Sequence, residues 1–422
     1  MGPAVDARVE VCEPAGDGGI GESAMTERPR KKGASPAPSD VAPPVEVLQV
    51  ASAEQLDAFV RFQLELYRDD PQYVPPIVAE RREFLKPEHN PFFAHATAAY
   101  FLAQRAGRVV GRIAAVDDTA YNQFHNAQTG FFGMFDAVDD VQVARALLSR
   151  AAAWCHDRGM RDLLGPANLS TNHDCGLLVE GFDSPPAMMM PYNAPYYEAL
   201  LLQAGLQPFK DLWIYELTTA TPPPEPVVRA AERLREKSGV TVRPLDLKRL
   251  PEEIRRIKAI QAEAAEQERN WAYVPLTEEE IDFLALRLRH LAMLRPELCL
   301  FAEVAGEPVA FSLTLPEGNA AVKAAGGSLT TFGLPIGALK MAWAARTVDT
   351  VRVLLLGVVP AWRRRGLESL LYQETLRAAR AHGYASGAIG WVAEDNAPLH
   401  RALTAMGARR HKTYRMYEKR LS

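Results

Sequence analysis

The sequence predicts an α/β protein that contains two similar units in tandem. Its 422 residues fit two domains, at about 100–200 residues per domain. The order strand–strand–strand–helix–strand–helix–strand occurs twice along the chain, which indicates a duplication. A proline-rich stretch, residues 218–226, separates the two copies and is typical of a stiff linker. With 48% hydrophobic residues, the chain has enough apolar side chains to form cores.

The C-terminal unit, residues 240–422, has the clearer pattern. Its strands are predicted at 240–245, 298–304, 308–315, 351–358, 387–392 and 413–419, and its helices at 251–269, 277–294, 368–382 and 397–406. The run of Val and Leu at 351–358 is typical of a strand that is buried on both faces. Residues 277–280 resemble a capping box, which marks the start of a helix.

The N-terminal unit, residues 46–217, repeats this order with weaker signals. Its strands are predicted at 98–104, 109–116, 131–135, 163–165 and 212–217, and its helices at 141–158 and 196–204. Residues 1–45 are rich in Pro, Gly, Ala, Ser and charge, and they are predicted to be a disordered tail. Residues 218–239 are predicted to be a Pro-rich linker and a helix.

Composition and charge exclude several classes of function. The chain has 48 basic and 52 acidic side chains, whereas nucleic-acid binding needs a clustered excess of Lys and Arg. Because none of the four cysteines lies in a CxxC pair, we expect no metal site and no disulfide framework, and a cytoplasmic location fits best. These cysteines are Cys12, Cys155, Cys175 and Cys299. We find no secretory signal and no run of about 18 uncharged apolar residues, so we expect no membrane-spanning helix.

A glycine-containing loop after the strand at 351–358 carries the most informative chemistry. Three arginines, residues 363–365, precede Gly366, and a helix follows at once. The first N–H groups of a helix have no partner within the helix, and the helix dipole favours anions at that end. The loop therefore predicts a phosphate site; the alternative is an ordinary strand-to-helix turn with a solvated basic patch.

This loop resembles the Arg/Gln-x-x-Gly-x-Gly/Ala motif of the GCN5-related N-acetyltransferase (GNAT) superfamily. The resemblance implies tandem GNAT-like domains, each a mixed, mainly antiparallel sheet flanked by helices, with acyl-CoA as co-substrate and no permanently bound cofactor. The residues it places at coenzyme A are Leu356, Gly357, Val358, Val359, Arg363, Arg364, Arg365, Gly366, Leu367, Glu368, Ser369 and Asn396. Glu368 departs from the motif, and Leu403 stands where many relatives have a Tyr that protonates the leaving thiolate.

The N-terminal unit lacks the loop. Its buried strand runs into residues 136–140, which include three Asp side chains where phosphate would bind, and Coulomb repulsion opposes a coenzyme there. We interpret this unit as a degenerate GNAT-like domain. An insertion at 168–197 follows, polar at first and then apolar and Pro-bounded. It either covers the core or reaches the other unit and contributes to the acceptor site.

Over its whole ordered length the chain resembles the bacterial ceramide synthase family. The resemblance rests on Asn90-Pro91-Phe92-Phe93, Gly165-Pro166-Ala167-Asn168, Gly181-Phe182-Asp183 and Tyr196-Tyr197, together with the coenzyme loop. It implies transfer of a long acyl chain from acyl-CoA to the amine of a sphingoid base such as 3-oxosphinganine. The alternatives are a short-chain acetyltransferase for a hydrophilic amine or protein lysine, and a non-catalytic acyl-CoA-binding protein.

Attack by an amine requires removal of a proton, because an alkyl ammonium has a pKa of about 10. The candidate bases are His173 and Asp174 in the insertion, Glu268, and Glu394 or Asp395. His173 is the side-chain type that titrates nearest pH 7.

Backbone N–H groups of 356–358, Val358 included, are expected to polarise the acyl carbonyl, as the GNAT resemblance implies. The stretch 326–345 holds only Lys340 as a charge. It either packs in the core with a helix from Pro335, or forms an acyl-chain tunnel or an element that dips into the inner membrane. Residues 188–190, three methionines, would suit the same tunnel.

Overall fold

The computed structural model describes residues 43–265 and 270–421. The predicted tail up to residue 42, the end of the helix predicted at 251–269, and the candidate base Glu268 lie outside the described residues. None of the described helices is long and apolar enough to cross a membrane.

The described residues form thirteen strands and twelve α-helices. The strands are β1 Glu46–Gln49, β2 Ala96–Arg105, β3 Arg108–Asp118, β4 Thr129–Ala137, β5 Asp162–Gly165, β6 Leu177–Glu180, β7 Gln207–Thr218, β8 Thr241–Pro244, β9 Leu300–Val304, β10 Glu307–Pro316, β11 Thr350–Val358, β12 Ser386–Ala393 and β13 Arg409–Arg420. The helices are α1 Ala53–Leu66, α2 Val78–Phe84, α3 Thr119–His125, α4 Val141–His156, α5 Tyr197–Gln203, α6 Glu225–Ser238, α7 Leu250–Ala265, α8 Glu278–Leu294, α9 Asn319–Ala325, α10 Ile336–Ala344, α11 Leu367–Ala381 and α12 Ala397–Ala405.

Every strand and helix predicted for the two units is present, with ends shifted by a few residues. The capping box predicted at 277–280 is formed, since the side chains of Thr277 and Glu280 each accept a backbone N–H of the other residue. The structure adds β1, β6, α1 to α3 and α9. The mixed, mainly antiparallel sheet flanked by helices confirms the predicted fold class.

The strands form one continuous sheet, in the order β1-β2-β3-β4-β5-β13-β7-β12-β11-β10-β9-β8, with β6 on β13. The last strands of the two units are exchanged. The N-terminal unit ends in β7, which pairs with β12, and the C-terminal unit ends in β13, which pairs with β5. The boundaries 46–217, 218–239 and 240–422 therefore describe the repeat in the sequence, and as domain limits they stay a prediction.

Each unit has two parallel strands that pair over a short length and then separate. β4 pairs with β5 at three positions, of which the last is Phe131 with Leu164. β11 pairs with β12 at four positions, ending at Val353 with Ile389. Just beyond these points both β4 and β11 contain a register shift against their antiparallel neighbours, β3 and β10. The duplication thus creates two equivalent clefts, one in each unit.

Candidate active site

The cleft of the C-terminal unit is bordered by the second half of β11. The N–H of Val359 bonds to the carbonyl of Val309 at 3.0 Å, and Val358 lies opposite Ala310 on β10. Because hydrogen-bonded and non-hydrogen-bonded pairs alternate along an antiparallel ladder, the N–H groups of Leu356 and Val358 point away from β10, toward the side that β12 has left. Two backbone donors therefore face the cleft.

Gly357 lies between these two donors and leaves no room for a larger residue. A Cβ atom built there would lie 2.5 Å from the Phe311 ring, closer than packed atoms approach one another. Phe311 is fully buried in the core beneath α7 and α11. The glycine lets the strand lie directly on this ring, so that the positions of the neighbouring N–H groups are fixed by the core.

The helix that follows, α11, starts without a side-chain cap. Its N-cap is Gly366, with φ of 94°, and no side chain of the described residues bonds to its first N–H groups. The first intrahelical bond from the turn is Leu370 N–H to the Gly366 carbonyl, 3.0 Å, so the N–H groups of 367–369 remain for a ligand. Nothing lies within 4 Å of a Cβ built at Gly366, so this end is open to an anion.

The three arginines of the loop have different surroundings. Arg363 is half-buried and donates to two backbone carbonyls, to Val358 at 3.3 Å and to Ala264 at 2.9 Å. It therefore ties the loop to β11 and to the end of α7. Arg364 and Arg365 are exposed, and the Arg365 guanidinium lies 4.9 Å from the centre of the Trp362 ring. These two cations are the ones available to a phosphate beside the start of α11.

The remaining candidates around α11 and α12 are not grouped at this loop. Asn396 is exposed and caps α12, because its side chain accepts the Leu399 N–H at 3.3 Å. Leu403 is fully buried in a cluster with Val353 and Tyr372. Asp395 is exposed and pairs with a lysine on β7, 2.9 Å away. Leu403 therefore provides no group that could protonate the leaving thiolate.

The equivalent helix of the N-terminal unit, α4, begins with a carboxylate cap. Asp140 accepts the Gln142 N–H at 2.7 Å and is bonded by Arg105 at 2.6 Å. Asp136 is buried, and it is paired with the Arg112 guanidinium at 2.7 Å. Asp139 is exposed. The anion position at the start of α4 is therefore occupied by a side chain of the protein itself.

The cleft beside β4 is also closed by the chain. The Asn168 side chain accepts the Met134 N–H at 2.7 Å, and the Ala167 N–H bonds to the Phe132 carbonyl at 2.8 Å. A Cβ at Gly133 would lie 1.8 Å from the Ala167 carbonyl oxygen. The start of the insertion thus covers the strand edge that the C-terminal unit leaves open.

Further along the insertion, His173 and Asp174 lie next to each other in the described structure. The His173 ring packs edge-on against Phe84 and Phe92 at centroid distances of 5.2 and 5.4 Å, and its Nδ1 lies 2.9 Å from the Ser170 hydroxyl. Burial lowers the pKa of His173 to about 4, so that the imidazole is neutral at pH 7. Asp174 lies 3.6 Å from the Arg81 guanidinium.

The insertion contacts the C-terminal unit, as one of the two sequence hypotheses requires. Thr171 donates to the Ala272 carbonyl at 2.6 Å, and Asn172 donates to the Val274 carbonyl at 3.0 Å. His173 and Asp174 line a cavity of about 300 Å³ between the two units, together with 188–190. Sequence reasoning identified the insertion but not the cavity, because the other walls come from distant helices.

The stretch 326–345 does not pack in the core as one hypothesis proposed. Phe332 is fully exposed, and Leu334, Leu339 and Trp343 are 60–69% exposed. The helix expected after Pro335 is present as α10. Among the described residues, no group of three or more His, Cys, Asp or Glu side chains could hold a metal ion.

Comparison with known proteins agrees with this geometry. Residues 262–408 match the model of the Acetyltransferase (GNAT) family. The chain is 36% identical over 374 residues to Protein YghO of Escherichia coli K12, covering 87% of this chain and 93% of that protein. It is 34% identical over 384 residues to the Bacterial ceramide synthase of Caulobacter vibrioides, covering 89% and 98%.

Two solved structures show the same fold. A tandem GNAT protein from the clavulanic acid biosynthesis pathway is similar with a TM-score of 0.50 and 12% identity, over 90% of this chain and 99% of that one. A GCN5-related glucosamine N-acetyltransferase region of a fungal β-N-acetylglucosaminidase has a TM-score of 0.51 and 13% identity, over 90% and 38%. The chain therefore belongs to the GNAT superfamily, as an acyl-CoA-dependent N-acyltransferase of the tandem-domain family that includes the bacterial ceramide synthase.

Proposed function

We propose that this protein transfers a long acyl chain from acyl-CoA to the amine of a sphingoid base of the 3-oxosphinganine type. The observation that carries the proposal is the uncapped start of α11, next to two exposed arginines and a strand whose N–H groups face a cleft. The acceptor class is supported by 34% identity to a bacterial ceramide synthase over 89% of the chain.

In the proposed reaction the diphosphate of acyl-CoA binds the N–H groups of 367–369 together with Arg364 and Arg365. The thioester carbonyl lies in the cleft and accepts hydrogen bonds from Leu356 and Val358. These donors stabilise the oxyanion of the tetrahedral intermediate, a contribution of about 3 kcal/mol per donor in comparable sites. The amine attacks the carbonyl carbon, the C–S bond breaks, and the thiolate leaves as coenzyme A.

Removal of the proton from the amine needs a base, and His173 is a weak one. At a pKa of about 4, His173 is a much weaker base than an alkyl amine, whose conjugate acid has a pKa of about 10, so full proton transfer to it is strongly unfavourable. His173 then acts as an acceptor for a hydrogen bond of the neutral amine, and the proton passes on to water. Asp174, Glu268, Glu394 and Asp395 stay alternative bases in this proposal.

Both substrates carry long apolar chains, and the stretch 326–345 supports their recruitment. Its large apolar side chains are exposed, and residues 319–348 contain three cations, Lys323, Lys340 and Arg346, and no acidic residue. Such a segment suits the interface of an anionic membrane. We therefore propose a cytoplasmic enzyme with peripheral contact to the inner membrane, formed by α10 and the residues before it.

The test is incubation of the purified protein with acyl-CoAs of several chain lengths and 3-oxosphinganine or sphinganine, followed by mass spectrometry. We expect an N-acylated base, formed faster from long-chain acyl-CoA than from acetyl-CoA. Acetylation of a hydrophilic amine or of protein lysine in place of the lipid would favour the short-chain alternative. Coenzyme binding without turnover of any amine would leave the non-catalytic alternative.

A further inference from the structure

The cavity of about 300 Å³ has a polar end and an apolar side. Its polar end lies against β4 and the insertion, and its apolar side is formed by α8, from which Leu284, Leu288 and Leu291 contribute. This size lies at the lower limit of ordinary small-molecule pockets. The walls therefore suit an amphiphilic guest.

One buried hydroxyl in this cavity has no partner. Tyr73 is 5% exposed and lines the cavity, and its hydroxyl makes no hydrogen bond to any of the described residues. Buried polar groups are almost always hydrogen-bonded. His173, which also lines the cavity, is a neutral imidazole, which can donate to or accept from a polar guest. The polar end is thus built to bind an uncharged hydrogen-bonding group.

The charges around the cavity cancel in pairs. Asp136 is 2.7 Å from Arg112, Glu80 is 2.6 Å from Arg287, and Asp174 is 3.6 Å from Arg81. These six are the charged side chains that line the cavity in the described structure. Each of the three guanidinium groups that line the cavity thus has a carboxylate partner already, and a phosphate would have to displace one of these carboxylates to be neutralised.

One residue that lines the cavity contacts β11. Met188, which lines it, accepts a bond from the Arg352 guanidinium at 3.3 Å through its carbonyl. Arg352 is on β11, one residue before Val353, where β12 separates. On another side the lining includes Asn319 and Val322 of α9, and the exposed apolar stretch 326–345 begins directly after this helix. A lipid chain held in the cavity can therefore extend toward this exposed apolar stretch.

We propose that this cavity binds the acceptor in its neutral amine form, and that it selects a single-chain lipid whose head carries amine, hydroxyl or keto groups and no phosphate. This inference rests on the proposed function, and it assigns the degenerate unit the role of acceptor site. The Tyr73 hydroxyl is shielded from solvent in this structure. In the complex a lining side chain moves aside, Tyr73 bonds to a polar group of the head, and the leucines of α8 contact the first part of the chain.

Two matched pairs of variants test the proposal. Tyr73→Phe removes only the unpartnered hydroxyl, and it should raise the KM for sphinganine about three- to tenfold, the value of one hydrogen bond, with the KM for acyl-CoA unchanged. Its control is Tyr121→Phe, a buried tyrosine of the same unit that does not line the cavity. An unchanged KM for sphinganine in Tyr73→Phe would overturn the role of Tyr73.

Leu284→Trp fills the cavity, whereas Leu286→Trp adds the same ring to a position of α8 that is 57% exposed. Binding of sphinganine in the absence of acyl-CoA, measured by calorimetry, should fall at least tenfold in Leu284→Trp and stay unchanged in Leu286→Trp. Sphinganine 1-phosphate should not compete. Equal binding to both tryptophan variants, or competition by the phosphorylated base, would overturn the inference.

These outcomes separate the inference from the function on which it rests. If the wild-type protein binds sphinganine in this cavity but acylates no sphingoid base, the proposed function fails and the site stands. If it acylates sphinganine and both tryptophan variants retain the wild-type KM, the function stands and the cavity is not the acceptor site. Thermal unfolding of each variant excludes loss of fold as the cause.

Discussion

The starts of α4 and α11 occupy equivalent places in a duplicated fold, yet they have opposite chemistry. α4 begins with Asp140, whose carboxylate caps the helix and is held by Arg105. α11 begins with Gly366, has no side-chain cap, and follows two exposed arginines. A helix start attracts negative charge whether it belongs to a ligand or to the protein. In α4 a carboxylate of the chain therefore occupies the position that is open to an anion in α11, which is why we expect coenzyme binding in the C-terminal unit and none in the N-terminal unit.

The clefts beside the two helices differ in the same sense. In the N-terminal unit Asn168 bonds to the Met134 N–H and the insertion covers β4. In the C-terminal unit the Leu356 and Val358 N–H groups face the space that β12 has left. Both the anion position and the carbonyl position are therefore filled by the chain in one unit and available in the other.

The largest expected effect concerns the buried ion pair of the N-terminal unit, Asp136 with Arg112. Asp136→Asn keeps the shape of the side chain but leaves the Arg112 guanidinium buried without a counter-charge. We expect a loss of about 3–5 kcal/mol in the free energy of unfolding, measured with denaturant. Acyl-CoA affinity of the folded variant should stay unchanged; a large loss of affinity would contradict the division of roles between the units.

The next effect concerns the open helix start. Gly366→Glu adds a carboxylate at the phosphate position and a side chain at a φ of 94°. We expect acyl-CoA affinity in calorimetry to fall roughly 100-fold, about 3 kcal/mol, through repulsion and strain. Arg365→Glu should act in the same direction without the strain. Wild-type affinity in both variants would count against the site.

A smaller effect is expected at the cap of α4. Asp140→Ala removes the side chain that accepts the Gln142 N–H, which should lower the free energy of unfolding by about 1 kcal/mol. It should not create a second coenzyme site, because Asn168 still covers the cleft. Titration with acyl-CoA should give one site per chain. A stoichiometry of two would contradict our expectation that only the C-terminal unit binds the coenzyme.

The smallest effect is predicted for Asp139, which is exposed beside the start of α4. Asp139→Asn should change neither acyl-CoA affinity nor stability by more than about 0.5 kcal/mol. It serves as the matched control for Asp140→Ala. A clear gain in coenzyme affinity would mean that charge alone had closed the N-terminal site.

The features predicted best from the sequence are those encoded by consecutive residues. The capping box at Thr277 is such a local signal and is formed. The phosphate site at 363–366 depends on the same kind of signal and stays a prediction. The same kind of signal, Ser52 with Gln55, was available for α1, whose capping box is formed, but that helix was not predicted. Exchange of β7 and β13 depends on pairing between distant strands, which no local pattern encodes.

The properties of the candidate bases were harder to predict, because they depend on burial in the folded chain. His173 was chosen for its ordinary pKa, whereas its position between Phe84 and Phe92 lowers the pKa to about 4. The cavity could not be foreseen because its walls come from segments separated by more than 200 residues, such as Tyr73 and Leu291. For the stretch that contains Phe332, the sequence left core packing and a membrane-facing element as alternatives, because an apolar run does not show whether its side chains are buried or, as in the structure, exposed.

A structure of the protein with bound coenzyme A tests the central claim most directly. We expect one bound diphosphate per chain, with its oxygens about 3 Å from the N–H groups of Leu367 to Ser369 and close to Arg364 and Arg365. A diphosphate bound against residues 136–140, with the start of α11 unliganded, would contradict it.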